Sequence, residues 1–151
     1  MLRGHAMKII IEDLKDGEEE EIIIRSNNID DSILQMIYGI KMHTQKIVGL
    51  YNGRMTMIEP NDIFYFESVD NKTFIYCEKQ VFESKMKLYE IGSQYENTDF
   101  FRASKSIILN LSKIKNLNPA FNGRFEALLK NNEKVIISRQ FVPVLKKKLG
   151  F

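Results

Sequence analysis

Near the start of its last third the chain reads Phe100-Phe101-Arg102-Ala103-Ser104-Lys105-Ser106-Ile107-Ile108-Leu109-Asn110, which gathers Arg102, Ser104 and Lys105 within four residues. A guanidinium, a short hydroxyl and an ammonium at that spacing can reach base edges and phosphates, and Arg139 adds a second guanidinium further on. These residues lie in a segment of very uneven charge. Residues 100–151 carry eleven Lys or Arg against two acids, Glu126 and Glu133, whereas residues 1–99 carry eighteen acids against eleven Lys or Arg. A local charge of +9 therefore hides behind a whole-chain value of +2. Such a face attracts phosphate backbones whatever their sequence. Lys113, Lys115, Lys130 and Lys134 alternate with apolar residues as on any half-exposed strand, and Lys146-Lys147-Lys148 is as readily a solvated helix face as a phosphate contact. The near absence of acids carries the reading, because a solvated face usually mixes both signs.

Other chemistry is poorly supplied. Apart from His5, the only histidine is His43, and Cys77 is the only cysteine, so no metal-ligand spacing exists and no internal disulfide can form. Neither Gly-x-Gly-x-x-Gly nor Gly-Lys-Ser occurs, which leaves no nucleotide cradle. Ser104 and Lys105 are neighbours on a strand-like stretch and point to opposite faces, so they cannot share a proton as a catalytic pair. The chain reads as a non-enzyme with no metal and no small-molecule cofactor. Cys77, in an alternating strand, reads as a buried structural thiol.

The length of 151 residues fits one domain, or one domain with a small appendage. Apolar runs such as Ile107-Ile108-Leu109 are too short to span a bilayer, and Ile9-Ile10-Ile11 runs at once into acids rather than forming a secretory leader. The expected location is the cytoplasm, away from membranes.

The elements that must position the basic residues follow from periodicity. Residues 1–6 precede a second methionine, Met7, and read as a cloning remnant. Residues 7–46 form a small acidic ββα segment with nine acids and five bases. Its strands are expected at 8–14 and 21–25 about a turn at Asp16-Gly17, and its helix is capped by Asn28 with Asp31 three residues on. Ile29, Ile33, Met36, Ile37 and Ile40 give that helix one apolar face, to be covered by the chain itself or by a second copy. Beyond Gln45 the pattern is mostly strand: 47–51 and 54–58 about Asn52-Gly53, 62–68 and 73–77 about Asp70-Asn71-Lys72, then 80–83. A helix is expected over 85–91, ending near Gly92, followed by strands at 100–103, 114–117, 124–130 and 134–137. A basic helix closes the chain at 141–149, beginning no earlier than Gln140 because Pro143 fits only a first turn; Leu145 and Leu149 share its face. The fold class is mainly β with short helices, preceded by a small α+β N-terminal segment.

At this point the residues resemble a known family, the LytTR DNA-binding domain. Phe101-Arg102-Ala103-Ser104-Lys105-Ser106 with Asn110 is similar to its central motif, commonly Phe-x-Arg-x-His-Arg-Ser-x-x-Val-Asn, with Ser104 standing where many members carry histidine. Asn61-Asp62-Ile63-Phe64-Tyr65-Phe66-Glu67 looks like its Asp-Ile-x-Tyr-Ile-Glu strand. Residues 85–89 look like its Ser-Leu-Lys-x-Leu-Glu helix, and Ile137-Ser138-Arg139-Gln140-Phe141 like its Ser-Arg-x-Tyr start of the last helix. The resemblance covers about residues 48–150, so residues 47–151 are taken as the DNA-binding unit. It implies an elongated β fold whose rim loops enter successive major grooves, usually at paired repeats. Contacts would come from Asn71 and Lys72, from Arg102, Ser104 and Lys105, and from Arg139, with Lys146 and Lys147 on phosphate. The forty-residue acidic segment in front is too short for a doubly wound receiver domain, so a free-standing member is expected.

Three functions compete on this reading. The leading one is a sequence-specific regulator of transcription that binds double-stranded DNA, as a homodimer paired through residues 7–46. The second is an RNA or single-strand binder, which needs aromatics free for stacking; Phe74, Tyr76 and Phe125 alternate as core-facing residues instead. The third is a protein-interaction module using the helix at 29–43. For Arg139 the competing role is a salt bridge to Glu67 or Glu126.

Overall fold

The computed structural model describes residues 7–150, so the expectation for residues 1–6 lies outside the described part. One sheet dominates. Its seven strands are β1 (Ile47–Tyr51), β2 (Arg54–Ile58), β3 (Ile63–Val69), β4 (Lys72–Cys77), β5 (Val81–Ser84), β6 (Phe100–Arg102) and β7 (Ile107–Asn110). They lie in the order β2-β1-β5-β4-β3-β7-β6, with every pairing antiparallel. A second antiparallel sheet holds β8 (Ile114–Pro119), β9 (Phe125–Leu129) and β10 (Lys134–Ile137) in the order β10-β9-β8. Three α-helices complete the chain: α1 (Asp31–Thr44), α2 (Leu88–Gln94) and α3 (Val142–Leu149). The mainly β architecture with short helices is thus present.

The two faces of the large sheet are buried separately. On one face Ile63, Phe66, Ile75, Phe100 and Ile108 pack under Leu88, Ile91 and Tyr95 of the α2 region. On the other, Phe64, Phe101 and Leu109 meet Ala127, Leu129, Val135 and Ile137 of the small sheet, and Val142 and Leu145 of α3. Simple alternation would put Ile63 and Phe66 on opposite faces. They share one because β3 is bulged: Ile63 pairs with Cys77 but Tyr65 with Tyr76, leaving Phe64 as the extra residue. The bulge lets β3 feed both cores. Strand β7, noted in the sequence only as an apolar run, also feeds both cores, by simple alternation, with Ile108 in the first and Leu109 in the second. A strand buried on both faces loses the polar alternation that marks a strand.

Several boundaries differ from expectation. Helix α2 begins three residues later than expected and runs past Gly92, because the Glu90 carboxylate accepts the Lys87 backbone N–H at 3.0 Å and fixes the start there. Helix α1 is capped by Asp30, whose Oδ1 accepts the Ile33 N–H at 3.0 Å, and not by Asn28. Its Ile33 is buried, and the helix lies against the short turn Pro60–Asp62, so part of the apolar face is covered within the chain. In α3 Leu145 is buried while Leu149 is exposed.

Residues 8–14 and 21–25 are not strands. The turn between them does form: Glu18 N–H donates to the Lys15 carbonyl at 3.1 Å, with Gly17 at φ +82°. That register would set Glu12 against Glu21 and Asp13 against Glu20, and like charges directly opposite oppose closure of a hairpin that is marginal on its own. The N-terminal segment is therefore an arm without strands and a helix rather than ββα.

Candidate nucleic-acid interface

Backbone hydrogen bonds tie the three expected contact segments to one another. Ser68, at the end of β3, donates its N–H to the Ser106 carbonyl at 2.8 Å, tying the β3–β4 hairpin to the loop at residues 103–106. Ser138 donates its N–H to the Ala103 carbonyl at 2.8 Å, tying the approach to α3 to the same loop. Ser104 and Arg139 consequently line one open cleft of about 640 Å³, together with Tyr65, Glu67, Arg124 and Lys134.

Each side chain is held differently. Arg102 is braced: its guanidinium donates to the Lys105 carbonyl at 2.7 Å, so it shapes the loop instead of projecting freely. Lys105 sits exposed at the tip. The Ser104 hydroxyl accepts the Ser106 N–H at 3.3 Å, a local turn that fixes where the hydroxyl points. Asp70 and Asn71 take φ +51° and +64°, a tight two-residue turn, and Lys72 opens β4 opposite Val69 rather than lying in the loop. The Asn71 carbonyl accepts from Lys87 Nζ at 3.1 Å while Lys72 is exposed.

Arg139 has no salt bridge among the described residues. Among the described residues the ion pairs are Lys46–Glu59 and Lys134–Glu126, both at 3.7 Å, so neither Glu67 nor Glu126 holds it. Its stem instead rests on Gly123, where an added Cβ would stand 3.2 Å from Arg139 Cγ. Glu67 is engaged elsewhere, accepting from the Tyr76 hydroxyl at 3.0 Å. The Tyr65 and Tyr76 rings stack at 4.3 Å and 11°. Burial, and then the Glu133 carboxylate hydrogen-bonded to it, raise the Tyr65 phenol well above its ordinary range; burial and then Glu67 raise Tyr76.

Phe74 and Tyr76 do not face the core as expected. Thr73 and Ile75 point inward, and Phe74 and Tyr76 are half-buried on the opposite face. Tyr65 covers one face of the Tyr76 ring. Phe125 is half-buried with the Lys146 ammonium 6.0 Å from its ring centre. Lys147 is exposed on α3, but Lys148 is not a free charge: it donates to the Thr98 carbonyl at 2.7 Å, and burial lowers its pKa. Cys77 is half-buried, with its thiol pushed up to about 11 by burial first and then by Asp62. The motif asparagine, Asn110, is fully buried and structural. It donates to the Ile63 carbonyl at 2.8 Å and accepts both the Ser112 N–H and hydroxyl.

Arg124 was missed as a cleft residue. The Asn122-Gly123 turn before it was visible in the sequence, but nothing there indicated that β9 begins beside Arg139. Among the described residues no group of His, Cys, Asp and Glu is arranged to hold a metal ion, and no helix is long and apolar enough to cross a membrane.

A family model for the LytTr DNA-binding domain matches residues 53–150. The sensory transduction protein LytT of Enterococcus faecalis is 32% identical over 97 residues, and the transcriptional regulatory protein YpdB of Escherichia coli K12 is 31% identical over 97. These matches cover 64% and 63% of this chain but only 40% of each relative. A Staphylococcus aureus protein named as an uncharacterized HTH-type transcriptional regulator, SAR2449, is 28% identical over 136 residues, covering 87% of this chain and 90% of its own length. A solved LytTr DNA-binding domain from Bacillus cereus superposes with a TM-score of 0.68 at 24% identity, covering 72% of this chain and 99% of that one.

Proposed function

This chain belongs to the LytTR DNA-binding family, and from that premise we propose that it is a bacterial-type cytoplasmic transcription regulator that binds double-stranded DNA sequence-specifically. It acts as a homodimer at paired repeats, with the turn at 70–71 and the adjoining Lys72, the loop at 103–106 and the segment before α3 entering successive major grooves. The observation that supports this most is the shared cleft of Ser104 and Arg139, in which Arg139 carries no carboxylate partner. A guanidinium with free donors on a fixed backbone suits bidentate recognition of guanine, the commonest specific major-groove contact. Asn71, Lys72, Ser104 and Lys105 are the other base-side or groove-side groups, Arg102 shapes their loop, and Lys146 and Lys147 anchor phosphate. The chemistry needs neither cofactor nor metal.

Competition separates this from single-strand binding. A labelled duplex carrying the selected site, challenged with excess unlabelled single strand, stays bound on this account. Displacement by single strand at equal or lower concentration than by duplex would point to the stacking class instead.

A further inference from the structure

We propose that residues 8–12 of one copy of this chain add as a strand to the free edge of β2 in a second copy, and that the exchange is reciprocal. The inference deepens the homodimer reading by naming its surface, and it is independent of DNA binding. The arm lies outside residues 53–150, the part the family model matches, whereas β2 lies within it.

Strand β2 is an outer strand of the large sheet, paired on one side only, to β1. An open edge offers its backbone groups as a template for another strand, and proteins usually protect such edges with charge or proline. β2 carries one charge, Arg54, and no proline. Met55 and Met57 are 74% and 61% exposed on one face, and opposite them on β1 stand Leu50 and the exposed Val48. The arm is the complementary object. Residues 8–12 belong to no helix or strand, and among the described residues their backbone has no hydrogen-bonded partner. Ile9 and Ile11 are 84% and 91% exposed.

Laid antiparallel with Ile10 opposite Thr56, the two segments match over residues 9–12. Ile11 and Ile9 fall opposite Met55 and Met57 on one face, which joins two exposed apolar patches and excludes water from both. Glu12 falls opposite Arg54, which sets opposite charges directly across the pair. A shift by one residue would set Glu12 against an apolar position and send Ile9 and Ile11 to the other face. Within a single chain the arm and the edge both remain open to solvent. Exchange between two copies satisfies both at once and closes with two-fold symmetry.

The test is sedimentation equilibrium of the full chain without DNA, on the unmutated protein, Arg54→Glu, and Glu12→Arg with Arg54→Glu. Both residues are exposed and outside either core, so folding is checked simply by circular dichroism. The expected result is a dimer whose dissociation constant rises about tenfold in Arg54→Glu, since two cross-strand pairs turn repulsive, and returns in the double variant. A dimer indifferent to both changes would overturn this surface while leaving the homodimer reading intact. A monomer at all concentrations would overturn both, with DNA binding still to be judged separately. An affinity-tagged Ile10→Cys chain mixed with an untagged Thr56→Cys chain, both with Cys77→Ser, adds an independent check. A disulfide-linked mixed dimer supports the register, and its absence overturns it.

Discussion

Arg139 lies directly on Gly123: a Cβ added to Gly123 would stand 3.2 Å from Arg139 Cγ and 3.3 Å from its Cδ. The glycine, at φ +75°, is therefore both a turn residue and the floor on which the guanidinium's stem is aimed. Gly123→Ala should lose about 1 kcal/mol of stability from the left-handed backbone. It should also push Arg139 aside, lowering affinity for the selected site more than for random duplex. Thermal melting and paired binding titrations on the one variant check both effects.

Arg139→Ala removes base reading without removing a salt bridge. It should cost about 1–3 kcal/mol on the preferred duplex, much less on random duplex, and leave the melting temperature nearly unchanged. An equal loss on both duplexes would assign Arg139 to phosphate.

The three terminal lysines should separate. Lys147→Ala should weaken specific and random duplex alike and reduce the salt dependence by about one unit of slope. Lys148→Ala should instead lower stability, because its ammonium closes the Thr98 carbonyl onto α3. Salt titrations and melting curves distinguish the two roles.

How much of this was legible in the residues depended on what each signal encodes. The Asn52-Gly53 hairpin and the Pro143 limit on α3 are local backbone chemistry, and both came out where expected. Strand β7 was hidden because it is buried on both faces, and the bulge at Phe64 broke the alternation that assigns faces in β3. The arm misled in the other direction: its isoleucines are good strand formers, but its carboxylates meet across the turn. Ser104 and Arg139 stood out by type, whereas their shared cleft with Arg124 depends on contacts between segments far apart in the chain. Asn110 lay in the central motif, yet only its burial and its bonds to Ile63 and Ser112 identify it as a structural strut.

Asn110→Ala should accordingly destabilise the fold by about 2–3 kcal/mol, since it strands the buried Ile63 carbonyl and frees the start of the turn at Ser112. Well below the melting temperature, the ratio of specific to random binding should not change.

Stability should fall with rising alkaline pH through Tyr95, whose buried phenol is raised to about 12 and donates to the Gln45 carbonyl at 3.0 Å. A folded pKa above the unfolded value of 10.0 means that this contribution is complete below pH 10 and is lost as pH climbs towards 12. Tyr95→Phe should lower stability near neutrality by about 1 kcal/mol, the hydrogen bond, and make the decline between pH 10 and 12 shallower. Denaturant titrations at successive pH values measure both.

The most direct test of sequence-specific duplex recognition is selection of bound duplexes from a random pool by the full, folded chain. The account predicts enrichment of a repeated motif, with one guanine-containing position lost from the consensus when Arg139→Ala is selected in parallel. A pool that binds but emerges without enrichment, or a consensus that Arg139→Ala leaves unaltered, would contradict it.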